Sequence, residues 1–323
     1  MKPEEEKREI PEAGEQQEGE LLAQALEAAA RKKKKDRRRM IAAAAAAILL
    51  IAGYLAITKY FIPEYKYRSG VALMQEEKYQ EAAAFFTEIR GYKDVDSLIE
   101  SNAVLGREAM LKPFRTQGST VAFGVYPQTA SGEDLTPVEW IVLDTKENQS
   151  LLISKYGLDA GSYHSNRDDV TWETCALRAW LNGDFLQRAF SEKEQTAILT
   201  TEVDNSRASR GGSGRDENDT QDKVFLLSYE EAHRYFGSDY NDASNHSRIV
   251  PTEYARKNGA LSYNSYKTED GILAGYWWLR STGGVRSYPT LVFPDGSLYH
   301  NYDNVIKLVI RPALWLDLEA DFL

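Results

Sequence analysis

Trp277-Trp278-Leu279-Arg280 is the stretch whose residue types best suit ligand recognition. In a strand, alternation sends Trp277 and Leu279 to one face and Trp278 and Arg280 to the other. If one face is core, the other sets an indole beside a guanidinium, a pair that stacks on planar groups and on sugars. The competing expectation is a structural arginine packed against tryptophan and bonded to a buried carboxylate. Arg311 and Trp315 carry the same two expectations. Trp278, Arg280 and Arg311 are therefore the candidate ligand-binding residues.

Catalytic patterns are missing from the chain. There is no Gly-x-Ser-x-Gly elbow, His-Glu-x-x-His, P-loop or Gly-x-Gly-x-x-Gly. His164, His233, His246 and His300 show no metal-ligand spacing. No catalytic residue, metal ligand or cofactor is assigned. Asp216–Asp222 and Asp239–Asn245 offer clustered oxygens for calcium but lack EF-hand spacing, so they read as solvated loops. Gly211-Gly212-Ser213-Gly214 reads as a flexible loop and not as a phosphate cradle. The single cysteine, Cys175, excludes a disulfide framework or a Cys-x-x-Cys site. It falls within an amphipathic helical pattern, which predicts a buried, inert thiol.

These residues must be positioned by a mixture of strands and helices. Thr120–Tyr126, Val138–Leu143 and Leu151–Ser154 have strand character, the last two pairing as a hairpin. Apolar residues at helical spacing mark Val170–Phe190, and a second helix runs from Ser191. Lys223–Ser228 predicts a buried strand. Ser228 then caps a helix to Phe236, with Glu231 completing the capping box. Pro251–Gly259 predicts a short helix, and strands return at Tyr276–Ser281, Tyr288–Phe293, Leu298–Tyr299 and Leu308–Trp315. Segregated runs of this kind define an α+β domain over residues 119–317.

The N-terminal third differs. Residues 1–39 carry 11 Lys/Arg against 10 Asp/Glu, while the rest carries 28 against 39. The acidic remainder argues against a nucleic-acid partner, which needs a basic footprint. Met40–Thr58 holds no charge and, at 1.5 Å per residue, spans close to the ~30 Å hydrocarbon core. The basic block Arg31–Arg39 precedes it, and Tyr60, Phe61, Tyr65 and Tyr67 follow it. By the positive-inside rule and the aromatic belt, residues 40–62 form a transmembrane helix lying in the bilayer. Residues 1–39 are then a cytoplasmic tail, disordered over 1–20, with Arg31–Arg39 able to meet anionic lipid. The C-terminal domain is extracytoplasmic, on a single-pass protein of the cell membrane.

Between span and domain, residues 65–111 read as helical. Gly70, Leu73, Tyr79, Ala82 and Phe86 fall at the spacing of a tetratricopeptide-like helical hairpin, which this segment resembles. A lone repeat cannot bury its own faces, so it is expected to pack on a third helix near Asp96–Met110 or on the next domain, as a stalk.

Seven segments in order carry a further resemblance. They are Val138–Leu143, Leu151–Tyr156, Val170–Cys175 with Leu177–Asn182, Asp222–Ser228, Pro251–Ala255, Trp277–Ser281 and Ile310–Leu314. Together they resemble a bacterial domain-of-unknown-function family, number 6273, of surface and membrane-anchored proteins. That family is in turn similar to the C-type-lectin-like fold shared with formylglycine-generating enzymes. The resemblance implies the fold and leaves the ligand blank. Formylglycine-generating activity does not carry over, since it needs cysteine chemistry, and the calcium-lectin signatures Glu-Pro-Asn and Trp-Asn-Asp are absent.

The expected function is a membrane-anchored extracytoplasmic binding module for a cell-envelope glycan, a peptide or a partner protein. An envelope-acting hydrolase with an unrecognised site and a single-pass sensor are the alternatives.

Overall fold

The structure, a computed structural model, describes residues 13–207, 210–211, 217–237, 246–267, 271–283, 288–300 and 303–322. The chain forms two compact units, Met1–Gly106 and Arg107–Leu323.

In the first unit, α1 (Ala13–Ala56) passes through one π-helical turn, Ile57–Phe61, into α2 (Ile62–Gln75). Alanine, leucine, glutamate, lysine and arginine give α1 its propensity, and Arg31 bonds Glu27 one turn away at 3.1 Å. Pro63 has no N–H for the carbonyl one turn back, and the helix opens into its wider turn just before it. Residues 13–20, expected in a disordered tail, are helical, which suits their three glutamates and two glutamines. The first twelve residues lie outside those described. Within Gln17–Gln75 the most apolar 18-residue window has mean hydropathy 2.4 and no buried share, so this helix is long and apolar enough to cross a membrane.

α3 (Tyr79–Thr87) folds back on α2, and α4 (Val95–Leu111) follows. Ala82, Phe86, Ile89 and Val95 form a small core, packed by Tyr67, Val71, Met74, Leu98 and Ile99. Gly70 permits the close crossing: a Cβ there would lie 2.6 Å from the Phe86 ring. At the open end Glu64 pairs with Lys93 and Arg68 and accepts from the Tyr92 hydroxyl at 2.9 Å. Lys93 first, then Arg68, hold the Glu64 carboxyl down at about 2.

The second unit runs β1 (Thr120–Tyr126), β2 (Thr136–Lys146), β3 (Gln149–Ser154), β4 (Asp159–Gly161), α5 (Ala176–Trp180), α6 (Leu186–Ala189) and α7 (Glu192–Ala197). It continues through β5 (Thr201–Val203), β6 (Thr220–Asp222), α8 (Tyr229–Phe236), α9 (Glu253–Lys257), β7 (Ser262–Lys267) and β8 (Leu273–Gly275). The last strands are β9 (Trp277–Thr282), β10 (Pro289–Val292), β11 (Leu298–Tyr299), β12 (Leu308–Ile310) and β13 (Ala313–Asp317). One antiparallel sheet has the order β1-β2-β3-β13, and a second has β11-β10-β9-β12-β4, antiparallel except where β12 meets β9. The fold is therefore mixed α+β, with one contiguous core that includes Trp140, Trp172, Trp277 and Trp278.

Two expected elements differ in extent. The helix expected over Val170–Phe190 begins only at Ala176, where the Cys175 sulfur accepts from the Arg178 N–H at 3.4 Å. It then passes through a π-helical turn, Leu181–Phe185, before α6. Val224–Ser228 is buried and extended but forms no ladder with either sheet, meeting them through the Phe225–Ala313 bridge and the Arg280 N–H, which donates to the Leu227 carbonyl at 2.9 Å. Its backbone is satisfied elsewhere: Asn182 Oδ1 accepts from the Lys223 and Val224 N–H groups at 2.9 and 3.2 Å, and Asn182 Nδ2 donates to the Val224 carbonyl at 2.9 Å. One amide side chain here does the work of a neighbouring strand.

Candidate functional site: a groove at the edge of the second sheet

β4 is an edge strand, hydrogen-bonded only to β12 within its sheet. Beside it opens a groove of about 340 Å³, walled by β4, α5, the end of α9 and the start of β12. Asp159, Ser162, Trp180, Asn258 and Lys307 supply its chemistry.

Asp159 is held on three donors. Its Oδ2 accepts from the Tyr126 hydroxyl at 2.8 Å, and its Oδ1 accepts from Asn258 Nδ2 and the Ala160 N–H, both at 2.7 Å. Burial, and then the Asp159 charge, push the Tyr126 hydroxyl well above the usual tyrosine range, so it stays a donor. Asn258 ends α9, whose start is capped by Thr252, and the Asn258 N–H returns to the Tyr254 carbonyl at 3.0 Å. Its own carbonyl accepts from Lys307 Nζ at 3.3 Å. Trp180, half-buried, packs on Phe185 with ring centroids 5.4 Å apart, and Phe185 lies 5.1 Å from Tyr126. The groove thus combines an aromatic surface with a carboxylate, an amide and an ammonium, each positioned by hydrogen bonds. The lining has one carboxylate and no histidine.

Trp278, Arg280 and Arg311 are buried, with exposures of 0, 2 and 1 %. β9 is covered on both faces along its length, because it lies inside the five-stranded sheet and carries Leu226–Ser228 and α8 above it. Trp278 packs edge-on to Tyr163 and donates Nε1 to the Gly161 carbonyl at 2.9 Å, behind the groove wall. Arg280 donates to both oxygens of Glu231 and to the carbonyls of Leu226 and Asp204 at 2.9 and 3.0 Å. Burial alone would push the Glu231 carboxyl up; the Arg280 guanidinium outweighs it and holds the group below its ordinary value. Arg311 donates to the Ser154 and His246 carbonyls at 3.0 and 2.6 Å, with Trp277 and Phe236 flanking its guanidinium at 4.9 and 5.1 Å. It has no carboxylate partner among the described residues, and burial pushes it below the usual arginine range. The structure brings Trp278 to the groove's back wall and sets both arginines in the framework.

Cys175 is buried, and burial pushes its thiol up to about 12. Asp239–Asn245 and Asp216 lie outside the described residues. Of the first Asp-rich stretch, Asp222 is a buried acceptor for Trp172 Nε1 at 2.9 Å and Arg178 Nε at 2.6 Å. Among the described residues no group of three His, Cys, Asp or Glu side chains is placed to hold a metal ion. The groove residues Asp159, Asn258 and Lys307 carried no signal in the sequence, and Trp180 showed there only as an apolar helix position.

Fold and site together define a mixed α+β domain with a small polar and aromatic groove, in a chain whose N-terminal helix is able to span a bilayer. The chain belongs to the family described as domain of unknown function DUF6273, whose model matches residues 147–318, just over half its length. No curated protein and no solved structure matches it.

Proposed function

We propose that the chain is a membrane-anchored binding module that presents the 119–317 domain outside the cell membrane to a cell-envelope ligand, with a glycan favoured over a peptide or partner protein. The groove carries this proposal, because a half-buried indole beside fixed hydrogen-bonding groups suits a ring with one apolar face and a hydroxylated rim.

Other observations support the remaining parts. Ile48, Leu49, Leu50 and Ile51 point in successive directions around the helix, yet all are 59 to 76 % exposed, an arrangement suited to lipid on every side. The basic block Arg31–Arg39 before residues 40–62 favours a cytoplasmic N-terminus and a single pass, and the block suits anionic lipid. Tyr60, Phe61 and Tyr65 are exposed where an interfacial belt would lie. The Gly70–Phe86 crossing supports a tetratricopeptide-like spacer over 65–111. The C-type-lectin-like assignment rests on the ordered motifs and on the mixed α+β architecture. Trp278 serves ligand binding by fixing the groove wall at Gly161, and Arg280 and Arg311 serve it by fixing the framework.

The test is retention of the full chain in nanodiscs on a glycan array and on insoluble peptidoglycan. Wild type is expected to be retained, and Trp180→Ala to lose about tenfold in affinity, or ~1.4 kcal/mol. Retention unchanged by Trp180→Ala would remove the groove from the proposal.

A further inference from the structure

The charges in and beside the groove are unevenly paired. Asp159 is the lining carboxylate; Asn258 and Ala160 donate to its Oδ1 and Tyr126 to its Oδ2, which leaves Oδ2 with room for a further donor. Its charge also has a cation on the Tyr126 side: the Arg188 guanidinium lies 5.1 Å over the Tyr126 ring and feels the Asp159 charge. Arg188 is fixed there by Tyr254, whose ring it flanks at 5.5 Å and whose hydroxyl it meets at 3.1 Å.

Lys307 differs. It is exposed, it lines the groove, and its hydrogen-bond partner is a neutral carbonyl, that of Asn258. Among the described residues no carboxylate lies within ion-pair distance of it. The hydrogen bond to Asn258 nonetheless fixes the ammonium beside the groove and the Trp180 ring. An exposed ammonium held beside the groove by a carbonyl, with no carboxylate partner, is placed where it can exchange water for an anionic group.

Resting on the binding-module proposal above, we propose that the groove takes an acidic saccharide, its ring face on Trp180, its hydroxyls toward Asp159 and Asn258, and its acidic group on Lys307. Carboxylate and phosphate share the required chemistry, and matched ligands distinguish them.

Calorimetric titration of the full chain in nanodiscs compares α-1,4-trigalacturonate, its carboxyl-reduced counterpart and that neutral trimer carrying one 6-phosphate. At least one acidic trimer is expected to bind wild type about tenfold or more tighter than the neutral one, and the tighter acidic trimer names the source of the anion. Lys307→Gln should erase that preference, so that within the variant the acidic and neutral trimers bind alike, and Lys307→Arg should restore most of it. A purely structural Lys307 would not separate the acidic from the neutral trimer in this way. Equal binding of all three trimers, abolished by Trp180→Ala, would overturn the acidic assignment and leave the binding module standing. An acid preference unaffected by Lys307→Gln would overturn the role of Lys307. Failure of every trimer to bind a chain that peptidoglycan still retains would overturn the saccharide assignment at this groove.

Discussion

Arg280 and Arg311, both buried in the second unit, show how partner chemistry decides what a charge does. Arg280 meets a carboxylate, and Glu231 binds it while also capping α8 through the Ser228 N–H at 2.8 Å. Removing the carboxylate charge leaves Arg280 buried with carbonyl acceptors but no countercharge, so Glu231→Gln is expected to cost about 3–5 kcal/mol in chemical denaturation. A loss below about 1 kcal/mol would contradict the role given to the pair. The sign with pH follows from the lowered Glu231 carboxyl. Its stabilisation is complete above the unfolded value near 4.5 and is lost as pH falls through the lower folded value. Acidification below pH 4.5 should therefore destabilise wild type more than Glu231→Gln, read from denaturation midpoints across that range. Both residues were legible singly, Glu231 as a capping-box residue and Arg280 as a strand arginine beside tryptophan. Their meeting across 49 positions was not, because neither local pattern encodes a partner in another element.

At the scale of elements, close approach and backbone satisfaction decide what periodicity alone does not. The α2–α3 crossing depends on a missing side chain: a Cβ on Gly70 would fall 2.6 Å from Phe86. Gly70→Val should cost the hairpin about 1–3 kcal/mol through overpacking and helix strain, measured as faster amide exchange across Ile62–Thr87. Exchange unchanged there would show that the helices separate without loss. The glycine, the aromatic at the turn and the bulky groove filler were all legible in the sequence. The true start of α5 was not, because Trp172 fits a helical apolar spacing although its indole is drawn to Asp222 instead. Lys223–Ser228 read as a strand because it is apolar and buried. Asn182, 41 positions before Lys223, takes up the backbone groups at its start and so explains why so little of it joins a sheet.

For the whole molecule, the groove is assembled from four separate stretches: 159–162, 176–180, 258 and 307–310. Each is unremarkable in sequence, and β4 acquires its one strand neighbour only when the chain returns as β12, where Ile310 pairs with Asp159. The α+β class and the apolar helix were legible because each follows from a run of adjacent residues. The groove was not, because it follows from topology. The expected site on β9 was drawn to tryptophan and arginine, which the fold uses behind the groove and in its frame. The central claim is that this groove faces the outside of the cell membrane, and one labelling measurement tests it. Cys175 is the sole cysteine, buried and with its thiol pushed up to about 12, so it contributes little background. Lys307→Cys places a thiol at an exposed position on the groove rim. Treatment of intact cells with a membrane-impermeant maleimide should label this variant as fully as treatment after permeabilisation. Labelling that appears only once the membrane is opened would contradict the claim.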